Sequence, residues 1–256
     1  MNKPKILILS GHGINCETET KKAFEIADGV AEIIHLNVFL NNQFNINNYN
    51  IIVFPGGFSF GDDLGAGIIL SAKLKKYLPK LKQFIQNGGY ILGICNGFQV
   101  LVNLGLLPNI ENNQNNEVAL IENNSKNFIN DWVKLKVNKL NTSPFLKGIN
   151  EIYLPIRNQE GKLIIGDNKI KKEIIKNNLN ILTYTQNPNG SELDIAALTD
   201  KTGHILGMMP HPEAFLTIYN HPNWNKLKKG NPNISKEGEG LQIFKNIVSH
   251  IKNTVL

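Results

Sequence analysis

The segment from Tyr90 to Val102 constrains this chain most. Tyr90-Ile91-Leu92 is an apolar run, Gly93-Ile94-Cys95-Asn96-Gly97 follows it, and Phe98-Gln99-Val100-Leu101-Val102 carries apolar residues at helical spacing. The pattern reads as a strand entering a helix through a sharp turn, with a cysteine held between glycines. Glycine suits both flanks because the strand and helix backbones approach closely there and a Cβ would clash. Such a turn lifts a nucleophile clear of the sheet. The amides after Cys95 then lie at a helix N-terminus, where unpaired N–H groups and the macrodipole stabilise a thiolate and later an oxyanion. The same pattern, alone, also suits a buried and unreactive cysteine.

A second segment weighs against the unreactive reading. Met208-Met209-Pro210-His211-Pro212-Glu213 follows the apolar run Ile205-Leu206-Gly207, which reads as a strand. In an extended segment, residues two apart project to the same side. Pro212 fixes its own φ and biases His211 away from the helical region. Glu213 is therefore placed to orient the His211 imidazole and to stabilise its protonated form, while the other ring nitrogen faces a thiol.

The first half of the chain alternates strand and helix signals. Strands are expected over 5–10, 31–36, 51–55 and 90–94, and helices over 18–27, 66–77 and 81–86, with Pro79 between the last two. A helix after Cys95 should stop at Gly105. This alternation implies an α/β fold with a doubly wound, mostly parallel sheet and helices on both faces, whose sites lie beyond the carboxyl ends of the strands. After Leu107-Pro108 the pattern changes. Residues 109–116 look like a loop, and strands are expected over 132–137, 152–157, 162–165, 181–184, 195–199 and 205–209, several of them antiparallel. These should form an added antiparallel β layer within one domain spanning 1–256, since no linker divides the chain. Residues 219–240 read as a long surface loop and 241–251 as a closing amphipathic helix.

At 256 residues and 41% hydrophobic content the chain suits one large α/β domain. No run approaches the roughly 18 apolar residues of a membrane span, and the N-terminus reads as a first strand, not as a signal peptide. Two cysteines, Cys16 and Cys95, make no disulfide framework and fit a reducing cytoplasm. The net charge of +6 comes from scattered lysines without aromatic interleaving, so neither a nucleic-acid nor a membrane partner is expected.

Pro55-Gly56-Gly57-Phe58-Ser59-Phe60-Gly61-Asp62 follows the third expected strand. No Gly-Lys-Ser/Thr continues it, so a phosphate-binding loop is disfavoured. In a cysteine acyl-transfer enzyme such a loop donates one main-chain amide to the oxyanion, with the Asn96 amide as the second donor.

Together, the three motifs resemble the triad (class I) glutamine amidotransferases, which carry a glycine oxyanion loop, a Gly-x-Cys-x-Gly nucleophile and a later His-x-Glu pair in this chain order. Gly13-Ile14-Asn15-Cys16 and Asn187-Pro188-Asn189-Gly190-Ser191 extend the likeness over nearly the whole chain, and the wording is most similar to the branch serving purine synthesis. The resemblance implies Cys95 as nucleophile, His211 as base and acid, Glu213 as its orienter, Gly57 and Asn96 as oxyanion donors and Gln99 as a contact to substrate glutamine. It implies no cofactor and no metal in this chain. Ammonia would pass to a synthetase subunit that uses ATP and Mg, accompanied by a small accessory subunit. Cys16 reads as structural. The chain departs from the family pattern at Asn158-Gln159-Glu160-Gly161, where a His-Gly-Glu-Gly is usual after a Leu-Pro strand, and Ala214 stands where arginine or serine often follows His-Pro-Glu. The first departure implies weaker glutamine binding. The same chemistry serving another acceptor, or a domain of this fold that binds a partner without turning over, remain the competing readings. An α/β-hydrolase does not fit, because there the acid precedes the histidine.

Overall fold

The structure is a computed structural model that describes residues 3–41, 44–111 and 117–254. Eleven strands are described: β1 (Lys5–Ser10), β2 (Val30–His35), β3 (Ile51–Phe54), β4 (Tyr90–Ile94), β5 (Val118–Ile121), β6 (Ile129–Val137), β7 (Glu151–Asn158), β8 (Lys162–Ile165), β9 (Leu182–Tyr184), β10 (Ile195–Thr199) and β11 (Ile205–Met208). Nine of them form one sheet in the order β2-β1-β3-β4-β11-β10-β9-β6-β7. From β2 to β11 every pairing is parallel, and from β11 to β7 every pairing is antiparallel. The antiparallel strands thus mostly extend the main sheet, and only β5 and β8 pair apart from it.

Burial explains the composition of the parallel half. β3 and β4 are buried along their whole length, so they read as continuous apolar runs without alternation. The Asn96–Asn103 helix is enclosed from Asn96 to Val102. It therefore has no polar face. Phe98, Val100 and Leu101 are wholly buried there, and each side chain so enclosed stabilises the fold by about 1.5–3 kcal/mol.

Several elements differ from the sequence expectation. Pro79 does not separate two helices. It lies in the first turn of the Leu78–Gln86 helix, where its missing N–H breaks no intrahelical bond. A helix over Asn168–Lys176 was hidden by its lysines. Its buried stripe is only Ile170 and Ile174, and Asp167 caps it by accepting from the Ile170 N–H at 2.8 Å. The expected 219–240 loop contains the helix Trp224–Gly230, which buries no residue and so shows no apolar period. β5 was not anticipated. The expected 109–116 loop falls partly outside the described residues, at 112–116. Among the described residues no helix is long and apolar enough to cross a membrane.

β4 and β11 are parallel neighbours, with Gly93 opposite Gly207 and Ile94 opposite Met208. Their carboxyl ends therefore emerge side by side. Cys95 follows one and His211 the other, which is how residues more than a hundred positions apart reach one place.

Candidate active site

Cys95 is the residue between β4 and the Asn96–Asn103 helix, at φ 50° and ψ −107°. Positive φ in a residue with a Cβ is strained, and such strain persists only where surrounding structure holds it. Here the Cys95 N–H donates to the Met208 carbonyl at 2.7 Å, tying the turn to the end of β11. A Cβ on Gly97 would stand 1.8 Å from the Phe54 carbonyl oxygen. Only glycine lets the helix start that close to β3. The Cys95 thiol is buried and lies 3.5 Å from the Arg157 carbonyl at the end of β7.

His211 is anchored by its own N–H, which donates to the Pro155 carbonyl on β7 at 2.8 Å. Its Nδ1 lies 2.6 Å from Glu213 Oε1, and the two side chains are 3% and 1% exposed. Pro212 opens a short 3-10 turn, Pro212–Ala214, which brings Glu213 back onto the imidazole. Burial by itself would drive His211 towards its neutral form. The Glu213 carboxylate, Cys95 and contacts with the Cys16 and Cys95 thiols outweigh it, so the histidine is held protonated well above its ordinary range. Both thiols thus act on the ring, yet neither bond is geometrically closed and Nε2 has no hydrogen-bond partner.

The glycine loop packs against the elbow. Gly57 has φ 143° and pairs with Ile14 as an isolated bridge. A Cβ there would stand 2.6 Å from the Gly13 carbonyl oxygen. The Asn96 side chain connects the two motifs: its Oδ1 accepts from the Ser59 N–H at 3.3 Å, and its Nδ2 lies 3.0 Å from Asp62 Oδ1 and 3.1 Å from Gln99 Oε1. The role expected of Asn96 rests on its main-chain amide, one of the unpaired donors of a helix start. Its side chain is a separate structural feature. Burial lifts the Asp62 carboxyl above its usual range, against the Gly67 N–H and the Asn96 amide, with Glu160 and Asp63 adding to the rise.

Gln99 donates to the Glu160 carbonyl at 2.6 Å. Glu160 Oε2 in turn accepts from the Ala66 N–H at 3.1 Å. Between these groups lies a cavity of about 290 Å³ lined by Gly57, Cys95, Gln99, Arg157, Asn158 and Glu160 among others. That volume is at the small end for ligand sites and suits a molecule of amino-acid size. Asn158 is 3% exposed, and neither its Nδ2 nor its Oδ1 has a hydrogen-bond partner.

All six residues expected at the site are brought to it: Cys95, Gly57 and Gln99 line the cavity, Asn96 starts the helix behind Cys95, and His211 with Glu213 adjoins the thiol. Two further residues adjoin the site. Tyr184 is fully buried, and burial raises its phenol, Asn189 opposing and Cys95 adding to the rise. Cys16, read as structural, lies against His211. The Gly13-Ile14-Asn15-Cys16 motif was the signal for the latter, whereas a lone tyrosine on a short strand gave none.

A cysteine on a strained strand–helix turn, a buried histidine–carboxylate pair and a glycine loop around a small polar cavity define a triad amidotransferase site. The chain belongs to the CobB/CobQ-like glutamine amidotransferase family, whose model matches residues 3–251. It is 40% identical to phosphoribosylformylglycinamidine synthase subunit PurQ of Dehalococcoides mccartyi over 256 residues, covering 97% of this chain and 98% of that one. It is also 40% identical to the PurQ subunit of Methanococcus maripaludis over 266 residues, covering 96% and 97%. Among solved structures it is similar to a chain of PurLQS from Thermotoga maritima, with a TM-score of 0.76, 27% identity and coverage of 98% and 100%.

Proposed function

We propose that this chain is the glutaminase subunit of phosphoribosylformylglycinamidine synthase. In this reading it hydrolyses glutamine to glutamate and ammonia, and a synthetase subunit uses the ammonia, with ATP and Mg, to convert formylglycinamide ribonucleotide to formylglycinamidine ribonucleotide in purine synthesis. The overall reaction is a ligation and this chain's share of it is a hydrolysis. The observation that carries the reading is the meeting of Cys95, on its strained turn, with the buried His211–Glu213 pair. Near-full-length similarity to PurQ subunits supports the acceptor. Likeness to a PurLQS chain supports a complex with the synthetase and a small accessory subunit.

The residues divide the work as follows. Cys95 Sγ, its proton already passed to His211, attacks the side-chain amide carbon of glutamine. The oxyanion is met by the Gly57 and Asn96 amides, and His211 returns its proton to the departing nitrogen, which leaves as ammonia. Water, activated by His211, then cleaves the γ-glutamyl thioester and releases glutamate. Glu213 holds the imidazole in one orientation and stabilises its charge. Gln99 is read as a contact to glutamine. The chain acts in the cytoplasm as one domain over 1–256, and its catalysis uses no cofactor or metal.

The test is glutamine-dependent amidation of formylglycinamide ribonucleotide by this chain with its matching synthetase and accessory subunit. Glutamate release is measured with and without those partners. Amidation is expected only when all are present, with faster glutamate release in the complex. Glutamate release without any amidation would keep the glutaminase and remove this acceptor. Absence of both would favour a domain that binds without turning over.

A further inference from the structure

Cys16 has no part in the chemistry above, yet it lies against the two residues that support Cys95. It precedes the Glu17–Ile26 helix, its N–H donates to the Gly56 carbonyl at 3.3 Å, and its thiol donates to Asn15 Oδ1 at 3.3 Å. Gly56 permits the approach. A Cβ there would stand 2.8 Å from His211 Cε1 and 3.3 Å from Cys16 Sγ. One ligating atom each from Cys16, His211 and Glu213 lie within 4.8 Å of one another. Two polar atoms in this group are buried without a partner, Glu213 Oε2 and His211 Nε2. Cys16 is partly exposed and the other two are buried, so the group is open on the Cys16 side.

A thiolate, an imidazole and a carboxylate are the donor set of zinc-class cations, and a soft thiolate disfavours magnesium or calcium. Ligand distances of roughly 2.0–2.3 Å in a tetrahedral zinc site put neighbouring ligand atoms about 3.5 Å apart. The atoms here, within 4.8 Å of one another, would close to that spacing as the ion binds. The two unpartnered buried atoms, a carboxylate oxygen and a ring nitrogen, have no partner within the protein. We propose that Cys16, His211 and Glu213 form a site for a zinc-class divalent cation, and that filling it switches glutamine hydrolysis off. The thiol and the protonated imidazole each release a proton to solvent as they bind the ion. The ion engages the imidazole and the carboxylate that holds it, so His211 no longer shuttles the proton between Cys95 and the leaving nitrogen. The inhibitory half of this inference rests on the catalytic roles proposed above. The binding half does not.

The experiment keeps them separate. Zinc is titrated against a chromophoric chelator into the full chain carrying Cys95→Ala, and into the same chain with Cys16→Ser added, with Cys16→Ala as a second variant. The first chain is expected to bind one zinc, and loss of the Cys16 thiolate to weaken binding by about a hundredfold. Cobalt in place of zinc should show a thiolate-to-metal charge-transfer band only when Cys16 is present. In the assembled complex with Cys95 intact, glutamine turnover of Cys16→Ser is measured against its own zinc-free rate. Half-inhibition should then need at least about tenfold more zinc. Zinc affinity that is equal with and without Cys16, or absent once Cys95 is removed, overturns the site. Binding that depends on Cys16 without inhibition overturns the switch. If Cys95→Ala still hydrolysed glutamine, the catalytic reading would fail while the zinc titration stood unaffected.

Discussion

The carboxylate behind the histidine is the member of the site whose removal is most informative, because Glu213→Gln changes charge with little change in shape. Glu213 Oε1 lies 2.6 Å from His211 Nδ1, with both side chains all but excluded from solvent. Opposite charges about 4 Å apart between centres interact by about 4 kcal/mol at an effective dielectric of 20. The amide that replaces the carboxylate still offers a hydrogen bond, which returns about 1 kcal/mol. A net loss of roughly 2–3 kcal/mol in the step where His211 is positive corresponds to about a hundredfold in kcat, at 1.36 kcal/mol for each factor of ten. Glu213 is not among the residues lining the cavity, so KM for glutamine should hold. The assay is glutamate release by the assembled complex over a pH series. Burial opposes the charged imidazole, and without Glu213 only Cys95 and the contacts with the Cys16 and Cys95 thiols counter it. The profile should therefore move to lower pH on its basic side.

Stability supplies an independent readout. The native state holds the His211 proton more tightly than the unfolded chain does. The pair's contribution is thus complete below the unfolded value of about 6.5 and is lost as pH rises through the raised native value. Urea unfolding of the wild type should show that decline, and Glu213→Gln should lack it. A change in kcat below about threefold with an unmoved pH profile would make the His-Pro-Glu segment a structural turn. The assignment of Glu213 would then be wrong.

Other expectations follow from the same geometry. Cys95→Ala should abolish glutamine-dependent synthesis while leaving ammonia-driven synthesis by the complex intact, since only the amide hydrolysis uses the thiol; residual glutamate release would remove Cys95 from that role. Asn96→Ala deletes the side chain joining Ser59, Asp62 and Gln99. At about 1 kcal/mol for each hydrogen bond it should cost roughly 2–3 kcal/mol in urea unfolding, and a loss in kcat larger than in KM would mark displacement of the Gly57 loop. Gly97→Ala places a methyl 1.8 Å from the Phe54 carbonyl oxygen and should yield little soluble chain; normal expression and Tm would show that the helix can shift. Asn158→His combined with Gln159→Gly is expected to lower KM for glutamine, and an unchanged or higher KM would mean that these two positions do not limit binding.

How much of this was legible in the sequence depends on where the governing interactions lie. The elbow was legible because its requirement is local: two glycines around Cys95 answer a close approach set by the strand and helix they join. The His211–Glu213 pair was legible for the same reason, since Pro212 restricts the backbone between them. The helix Asn168–Lys176 was not, because its apolar stripe has only two buried isoleucines among lysines. Strand contacts were less legible still. That the Pro155 and Arg157 carbonyls of β7 meet His211 and Cys95 depends on the antiparallel half of the sheet reaching the carboxyl ends of β4 and β11. No spacing in the chain encodes that.

Cys16 and Asn158 show why the second tier of a site is harder to read than the first. Each falls in a segment that the sequence marks out, Gly13-Ile14-Asn15-Cys16 and Asn158-Gln159-Glu160-Gly161, yet each owes its position to a contact made across the fold. Gly56 lets Cys16 reach the histidine, and the end of β7 sets Asn158 beside the cavity. A buried amide with two unpartnered atoms costs stability, about 1–3 kcal/mol for an unmet group, and such a cost is retained where a ligand supplies the missing partners. Cys16 poses the complementary case. Its Asn15 hydrogen bond is weak, and it lies against His211 and Glu213, the two residues proposed to serve Cys95. The elements that bring His211 to Cys95 also bring that histidine a second thiol. Any group that binds Cys16 and His211 together competes directly with the chemistry at Cys95.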